Sequence, residues 1–326
     1  MGRGAAAAAC GTAGGLIAGA LLDTALGDPR HRHPVAAFGR MAARLEAGMY
    51  ADSRAAGVRY TAVTIALPLA AAVGVGRATH RRPWLRAGVT AVATWAVLGG
   101  ASLRREAAAM AALLEHGDLE GARARLPHLC GRDPSGLDEK DLARATVESV
   151  AENTSDAVVA PLCWGAVGGV PGLVAYRAIN TLDAMVGHRS PRYARFGTAS
   201  ARLDDAANLL PARVAAVLTA FVAPVVGGSP RRTVEVWRRD GSRHPSPNAG
   251  QCEAAVAGAL GVRLGGRNVY GGRAESRPEL GDGPTPSVGD IRRAARLSGA
   301  VGAAAVVLTG AAVLLRAAGA GLRRRW

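Results

Sequence analysis

The chain lacks much of what common function classes require. Lysine is nearly absent: among 40 basic residues only Lys140 is not arginine. The glycine-rich run 261–272 contains no lysine and fits neither a Walker loop nor a dinucleotide fingerprint, so alone it is a weak phosphate signal. Aromatics make up only 4%, too few for a base-stacking platform, and the arginines are spread along the whole chain. The formal net charge of +15 is therefore not read as nucleic-acid binding. Arginines flanking a membrane account for it more simply, and an anionic substrate or lipid headgroup also fits. Cys10, Cys130, Cys163 and Cys252 are not paired at metal-ligand or redox spacing, which argues against a disulfide framework or a zinc site. No internal repeat is visible.

Charge is missing from six long runs: 4–22, 60–76, 87–103, 157–176, 214–230 and 297–315. Each is close to the ~17–25 residues that cross a ~30 Å hydrocarbon core as a helix. Ala-rich helices of a soluble bundle are the alternative, but such helices seldom lack charge on every face, and not six times over. The fold class expected is all-α: a polytopic membrane helical bundle with about five or six hydrophobic segments and polar helical loops. Residues 1–326 are read as one integral-membrane domain in the cell membrane. Loops 23–59, 104–156 and 231–296 carry the most arginine and are assigned to the cytoplasm. The first apolar run is read as a retained span rather than a signal peptide, because it is long and passes into a patterned polar loop.

Between the runs, residues 36–56 read as an interfacial amphipathic helix with Phe38, Met41, Leu45 and Met49 on one side. Runs 60–76 and 87–103 form a hairpin through a basic turn. Asp138 suits an N-cap for a helix reaching about Asp156. In the extended piece 243–250, Asn248 is expected to cap a helix from Ala249 to about Leu260, with Gln251 reciprocating. Residues 274–287 read as a Pro/Gly-rich loop.

What is present in unusual concentration is acid and amide beside apolar chain, from Thr146 to Asp205. Glu148, Glu152 and Asp156 recur at i, i+4, i+8, one face of a helix, with Asn153 at the flank. Like charges so spaced repel, and a solvated stripe is the ordinary explanation. This stripe runs straight into apolar residues, where solvation is less available. Three stacked carboxylates would suit Mg²⁺ and a polyphosphate, or supply a general base. Beyond, 157–176 is broken by Pro161, Gly165, Gly168, Gly169, Pro171 and Gly172. It reads as a kinked span or as a re-entrant hairpin. Asn180 and Asp183 then share a helix face, and Arg202, Asp204, Asp205 and Asn208 follow. Arg202 either offsets an aspartate or holds a ligand. The two acidic clusters form one site only if 157–176 turns back or opens a cavity.

Several long motifs together resemble one family: Leu-Gly-Asp-Pro…His-Pro-Val (26–35), Glu-Ser-Val-Ala-Glu-Asn-Thr-Ser-Asp (148–156), Asn-Thr-Leu-Asp-Ala-Met-Val-Gly (180–187), Ala-Arg-Leu-Asp-Asp-Ala-Ala-Asn (201–208) and His-Pro-Ser-Pro-Asn-Ala-Gly (244–250). In kind and order they are similar to the CobD/CbiB family, the adenosylcobinamide-phosphate synthases of cobalamin biosynthesis. The resemblance implies an integral membrane ligase joining adenosylcobyric acid to (R)-1-aminopropan-2-ol or its O-phosphate, driven by ATP with Mg²⁺. Membrane lipid and other membrane enzymes of the corrin pathway are the further partners implied. An amide ligase must activate a carboxylate and deprotonate an ammonium. Residue chemistry then makes Glu148, Glu152 and Asp156 candidate Mg²⁺ ligands, with Asn153, Asp204 and Asp205 completing the catalytic set. Candidate substrate-binding residues are Asp28, His33, Asn180, Asp183, Arg202, His244 and Asn248. A transporter, or a non-catalytic scaffold of the corrin pathway, is the alternative from another class.

Overall fold

A computed structural model describes residues 2–28, 33–188, 190–270 and 273–322. The elements in order are α1 (Gly2–Leu26), α2 (Pro34–Met49), α3 (Arg54–Thr79), α4 (Pro83–Val97), α5 (Gly100–Glu115), α6 (Leu119–Arg125), α7 (Glu139–Thr154), α8 (Ala160–Leu182), α9 (Thr198–Val222), α10 (Pro230–Asp240), α11 (Ala249–Leu260), β1 (Leu264–Tyr270), β2 (Arg273–Leu280) and α12 (Val288–Leu322). The expected all-α bundle is what forms. Among the described residues, 5 helices are long and apolar enough to cross a membrane, which makes this a multi-pass membrane protein. Run 87–103 is not one of them: α4 stops at Val97, and α5 begins at Gly100 after an extended Leu98.

The chain divides into two compact units. The first comprises Met1–Gly99, Ala160–Asn208 and Ala305–Trp326. Its tightest pair is α1 with α4. Gly11, Gly15 and Gly19 lie one turn apart on α1, and a Cβ on Gly11 or Gly15 would fall 2.6 Å from Pro83 O or 2.5 Å from Thr90 Cβ. The stripe of glycines lets two backbones touch where no hydrophobic effect drives helices together. A second core joins α2, α3 and the segment after α8, through Ala42, Ala56, Tyr60, Leu182, Val186 and Phe196.

α8 itself is folded back. Gly169 sits at φ 62°, ψ −141°, outside the helical region. Beyond it, Gly172 lies against the Trp164 carbonyl, and a Cβ on Gly165 would fall 2.9 Å from Leu173 Cδ2. Positions eight residues apart cannot touch in a straight helix, so 160–168 and 170–182 are two limbs of a hairpin. At ~1.5 Å per residue the limbs are roughly 13 and 20 Å long, each short of a ~30 Å core, so the one of the five segments that contains α8, Glu139–Gly187, does not cross as a single straight helix. Of the two readings open for 157–176, the chain takes the one that turns back.

The second unit comprises Gly100–Val159 and Leu209–Ala304. α11 lies at its heart, with all 12 residues buried. α7 starts as expected, with Asp138 Oδ1 accepting from Asp141 N at 2.8 Å. It ends earlier than expected, at Thr154, and passes into a π turn, Ser155–Val159. Run 264–280 is not a loop but an antiparallel hairpin. Asp240, fully buried, ties α10 to that hairpin by accepting from Gly281 N at 2.9 Å. Arg239 beside it holds its carboxyl down at about 2.

Candidate active site

In the second unit the acidic stripe of α7 meets arginine. Glu148 is 5% exposed, Arg132 5% and Arg144 6%. Glu148 Oε2 lies 2.5 Å from Arg132 Nη2, and Oε1 accepts from Gly265 N at 2.7 Å with Arg144 Nη1 at 3.4 Å. Arg144 also donates to the Gly265 carbonyl and, at 2.9 Å, to Asp141. Both oxygens of Glu148 are thus engaged. Gly265 needs its φ of 87° to sit there, packed on the Pro278 carbonyl. Next to this cluster opens a cavity of about 440 Å³, into which Arg144, Arg263, Asp141 and Glu279 project beside the Gly265–Gly266 backbone.

The other stripe residues differ. Glu152 is exposed, Asn153 and Asp156 half-buried. Asn153 Nδ2 donates back to Ser149 O at 2.9 Å, which makes it a bracket on its own helix. Asp156 lies in the π turn, which widens the helix and takes it off the i, i+4, i+8 line; such turns recur at functional sites. The described residues contain no group of three His, Cys, Asp or Glu side chains able to hold a metal ion. A resident Mg²⁺ on Glu148, Glu152 and Asp156 therefore does not fit: one ligand is already committed to two guanidinium groups and an amide.

Sequence reasoning missed Glu253. It is the single charged residue in α11, which was the available signal, and is 2% exposed. Burial pushes its carboxyl well up; Glu148 and Glu152 add to this, against Arg277 and Arg132. Its carboxyl therefore holds its proton to higher pH than an ordinary glutamate, and in the protonated form it can donate a proton or a hydrogen bond. His244 is also buried, and burial with the Arg277 charge lowers its pKa, so its ring is neutral. Arg132, Arg277 and Cys252 complete the missed neighbours.

Two expected caps are corrected. Asn248 makes no side-chain cap on α11. Ser246 Oγ takes that place, accepting from Ala249 N at 3.1 Å, and Asn248 Oδ1 accepts instead from Arg213 Nη1 at 3.3 Å. Gln251 is turned away to Trp237 Nε1 (2.8 Å) and the Gly241 carbonyl (2.9 Å).

The first unit holds a separate polar network. Asp204 is 9% exposed and accepts from Asn208 Nδ2 at 3.0 Å and Asn180 Nδ2 at 3.4 Å. Tyr176 OH donates to Asn208 Oδ1 at 2.9 Å, and Arg177 Nη1 to Asn180 Oδ1 at 3.3 Å. Each amide oxygen is taken by a donor, so each NH₂ is aimed at Asp204. Asp183 opens a second π turn, Asp183–Gly187, and Asp205 is half-buried. Arg202 is exposed and forms no ion pair with either aspartate among the described residues, so the salt-bridge reading of it falls. His33 caps α2, its Nδ1 accepting from Val35 N at 3.2 Å. Asp28 buries one carboxylate oxygen without a hydrogen-bond partner among the described residues.

A family model described as CobD/Cbib protein matches residues 16–298. The chain is 56% identical over 297 residues to cobalamin biosynthesis protein CobD of Mycobacterium tuberculosis (strain ATCC 25618 / H37Rv), covering 90% of this chain and 93% of that one. Identity to the protein of the same name is 44% over 272 residues in Geobacter metallireducens, with 82% and 86% covered. In Rhodobacter capsulatus it is 43% over 283 residues, with 83% and 88% covered. No solved structure matches the chain. The matched span contains every polar motif from Leu26 to Gly250, and with relatives this similar over most of its length the chain belongs to the CobD/CbiB family.

Proposed function

We propose that the chain is a ligase of cobalamin biosynthesis in the cell membrane. It joins the propionate of adenosylcobyric acid to (R)-1-aminopropan-2-ol or its O-phosphate, using ATP. The relatives' names support the pathway, and the polar residues of the two units support the chemistry. A carboxylate does not condense with an amine until an oxygen is made a leaving group. The simplest route is attack of the carboxylate on the terminal phosphoryl group, with ADP leaving, then attack of the free amine on the acyl carbon, with phosphate leaving. Such a path asks for cations against phosphate charge, an acid and a proton acceptor.

The observation that carries this reading is the cavity beside the Glu148 ion cluster, lined by Arg144 and Arg263 next to the Gly265–Gly266 backbone. The guanidinium groups lining it would face phosphate charge, and Glu253, whose carboxyl burial pushes up, is the candidate acid. Glu152, exposed on the same helix as Glu148, is the candidate proton acceptor. The nucleotide would carry its own Mg²⁺, because the carboxylates of the described residues do not form a seat for it. Within the first unit, Asp204, aimed at by two amides, is proposed as a seat for a cationic group such as an ammonium.

Purified protein in detergent, given adenosylcobyric acid, Mg-ATP and either amino alcohol, is expected to yield a corrin heavier by the amide adduct, seen by mass spectrometry. Folded protein that gives no such product with authentic substrates overturns the proposal. The buried carboxylate of Asp204 also suits an ion pathway. A transporter would move substrate into proteoliposomes without consuming ATP or forming an amide.

A further inference from the structure

We propose that His244 and Arg277 form a subsite for a phosphoryl group, whose oxygen lies between the His244 Nε2–H and the Arg277 guanidinium. This deepens the ligase reading and rests on it for the choice of ligands. The argument begins in the sequence His244-Pro245-Ser246. Proline has no N–H, so the first amide that can reach the ring is that of Ser246. Ser246 N stands 3.0 Å from His244 Nδ1. A backbone N–H only donates, so Nδ1 is the bare nitrogen and the ring proton is on Nε2. His33-Pro34-Val35 repeats the arrangement at 3.2 Å.

The ring is fixed there. His244 is 8% exposed, and Gly250 packs so closely on its Cβ that no side chain fits at that position. Yet Nε2 lies 3.3 Å from Arg277 Nη1, which is also only a donor. Two N–H groups cannot bond each other, and among the described residues no acceptor takes the Nε2 proton. One acceptor shared between them resolves the clash, and beside a guanidinium it is an anion. A carboxylate is the poorer candidate. Glu253, in the same electrostatic neighbourhood, has its carboxyl pushed toward the protonated form by burial and by Glu148. A phosphate ester keeps at least one negative charge under conditions that neutralise a carboxyl.

The shared chemistry fits two sources, the nucleotide and aminopropanol O-phosphate, and calorimetry on full-length protein in detergent separates them. His244→Asn keeps an acceptor near Nδ1 for Ser246 and loses the Nε2 donor. His244→Gln keeps a donor near Nε2 and loses the acceptor. The asparagine variant is expected to keep the wild-type thermal midpoint and to bind one phosphate compound about tenfold or more weakly, the loss of a charge-assisted bond. The glutamine variant is expected to lose stability and keep that affinity. Weakened ATP binding with unchanged aminopropanol phosphate assigns the subsite to the nucleotide, and the converse to the amino alcohol. Adenosine and free aminopropanol should not distinguish the proteins. If His244→Asn binds both phosphates as wild type does, or wild type binds neither, the subsite is overturned. Since binding is read without turnover, a failed ligation assay alongside the expected binding losses would sink the ligase reading and leave the subsite standing.

Discussion

Glu148 and Asp204 are both buried acids in motifs that the sequence marks, and their surroundings are opposite. Glu148, in the second unit, is met by the guanidinium groups of Arg132 and Arg144 and by the Gly265 amide. Asp204, in the first, is met by the neutral amides of Asn180 and Asn208, and the cation behind them, Arg177, is one side chain removed. A carboxylate already neutralised by two cations is a joint of the fold. One held by dipoles keeps an attraction for a cationic ligand. Charge pairing inside each unit, rather than burial, separates the acid that builds from the acid that binds.

Exchanging each acid for its amide tests this most severely. Glu148→Gln removes the charge between two buried arginines and leaves them uncompensated, which is expected to destabilise by ~3–5 kcal/mol. Thermal unfolding in detergent should show a much lower midpoint, and proteolysis should open the 264–280 hairpin first. Asp204→Asn removes a charge that no cation among the described residues neutralises directly. Its midpoint is expected to shift little while ligation falls at least a hundredfold. If the two variants exchange behaviours, the contrast is wrong.

The hairpin of α8 comes next in size. Gly169→Ala forces a side chain onto φ 62°, ψ −141°, a region used essentially by glycine alone, at a cost of ~1–3 kcal/mol. Gly168→Ala meets nothing within 4 Å and is the control. A lower midpoint for the first with no change for the second is the expected result; equal midpoints would mean that the turn does not depend on Gly169.

Much of this was legible in the sequence, for physical reasons. Uncharged runs gave helices long and apolar enough to cross a membrane, because hydropathy is a property of composition. Pro and Gly density around Gly169 announced the break, and the Asp138 cap is local chemistry. Asn180 and Asp204, named as candidates, do meet. What stayed hidden depends on contacts between distant segments. Nothing at Glu148 reveals that Arg132 and Gly265 will take both its oxygens, so three carboxylates at helical spacing read as a metal seat. Glu253 was passed over because a lone acid in an apolar helix carries no pattern. The 264–280 strands were masked by glycines, whose positive φ is needed at Gly265 but reads as loop.

Glu253 sharpens the comparison through pH. Its folded-state pKa is raised above the ordinary carboxyl value of ~4.3, so above that pH the unfolded chain gives up a proton that the fold retains. Stability must then fall as pH rises from the unfolded value toward the folded one. Glu253→Gln removes this term, since the amide imitates the neutral acid. The variant is expected to match wild type near pH 4 and to exceed it in thermal midpoint by pH 7, while ligation falls. A midpoint difference that does not change with pH would show that Glu253 is ionised in the fold.

The smallest effect on the fold is expected at Arg202. It lies on the exposed face of the helix that carries Asp204, without an ion pair to that residue or to Asp205 among the described residues. A guanidinium so placed contributes little to stability, whereas a ligand-facing one changes affinity. Arg202→Ala is therefore expected to leave the thermal midpoint unchanged and to raise KM severalfold at constant kcat, for one substrate only. Arg202→Lys should recover part of that KM if charge alone is read, and none if the planar fork is required. A variant with unchanged KM for all three substrates would remove Arg202 from the binding set and leave Asp204, with its two amides, as the polar centre of the first unit.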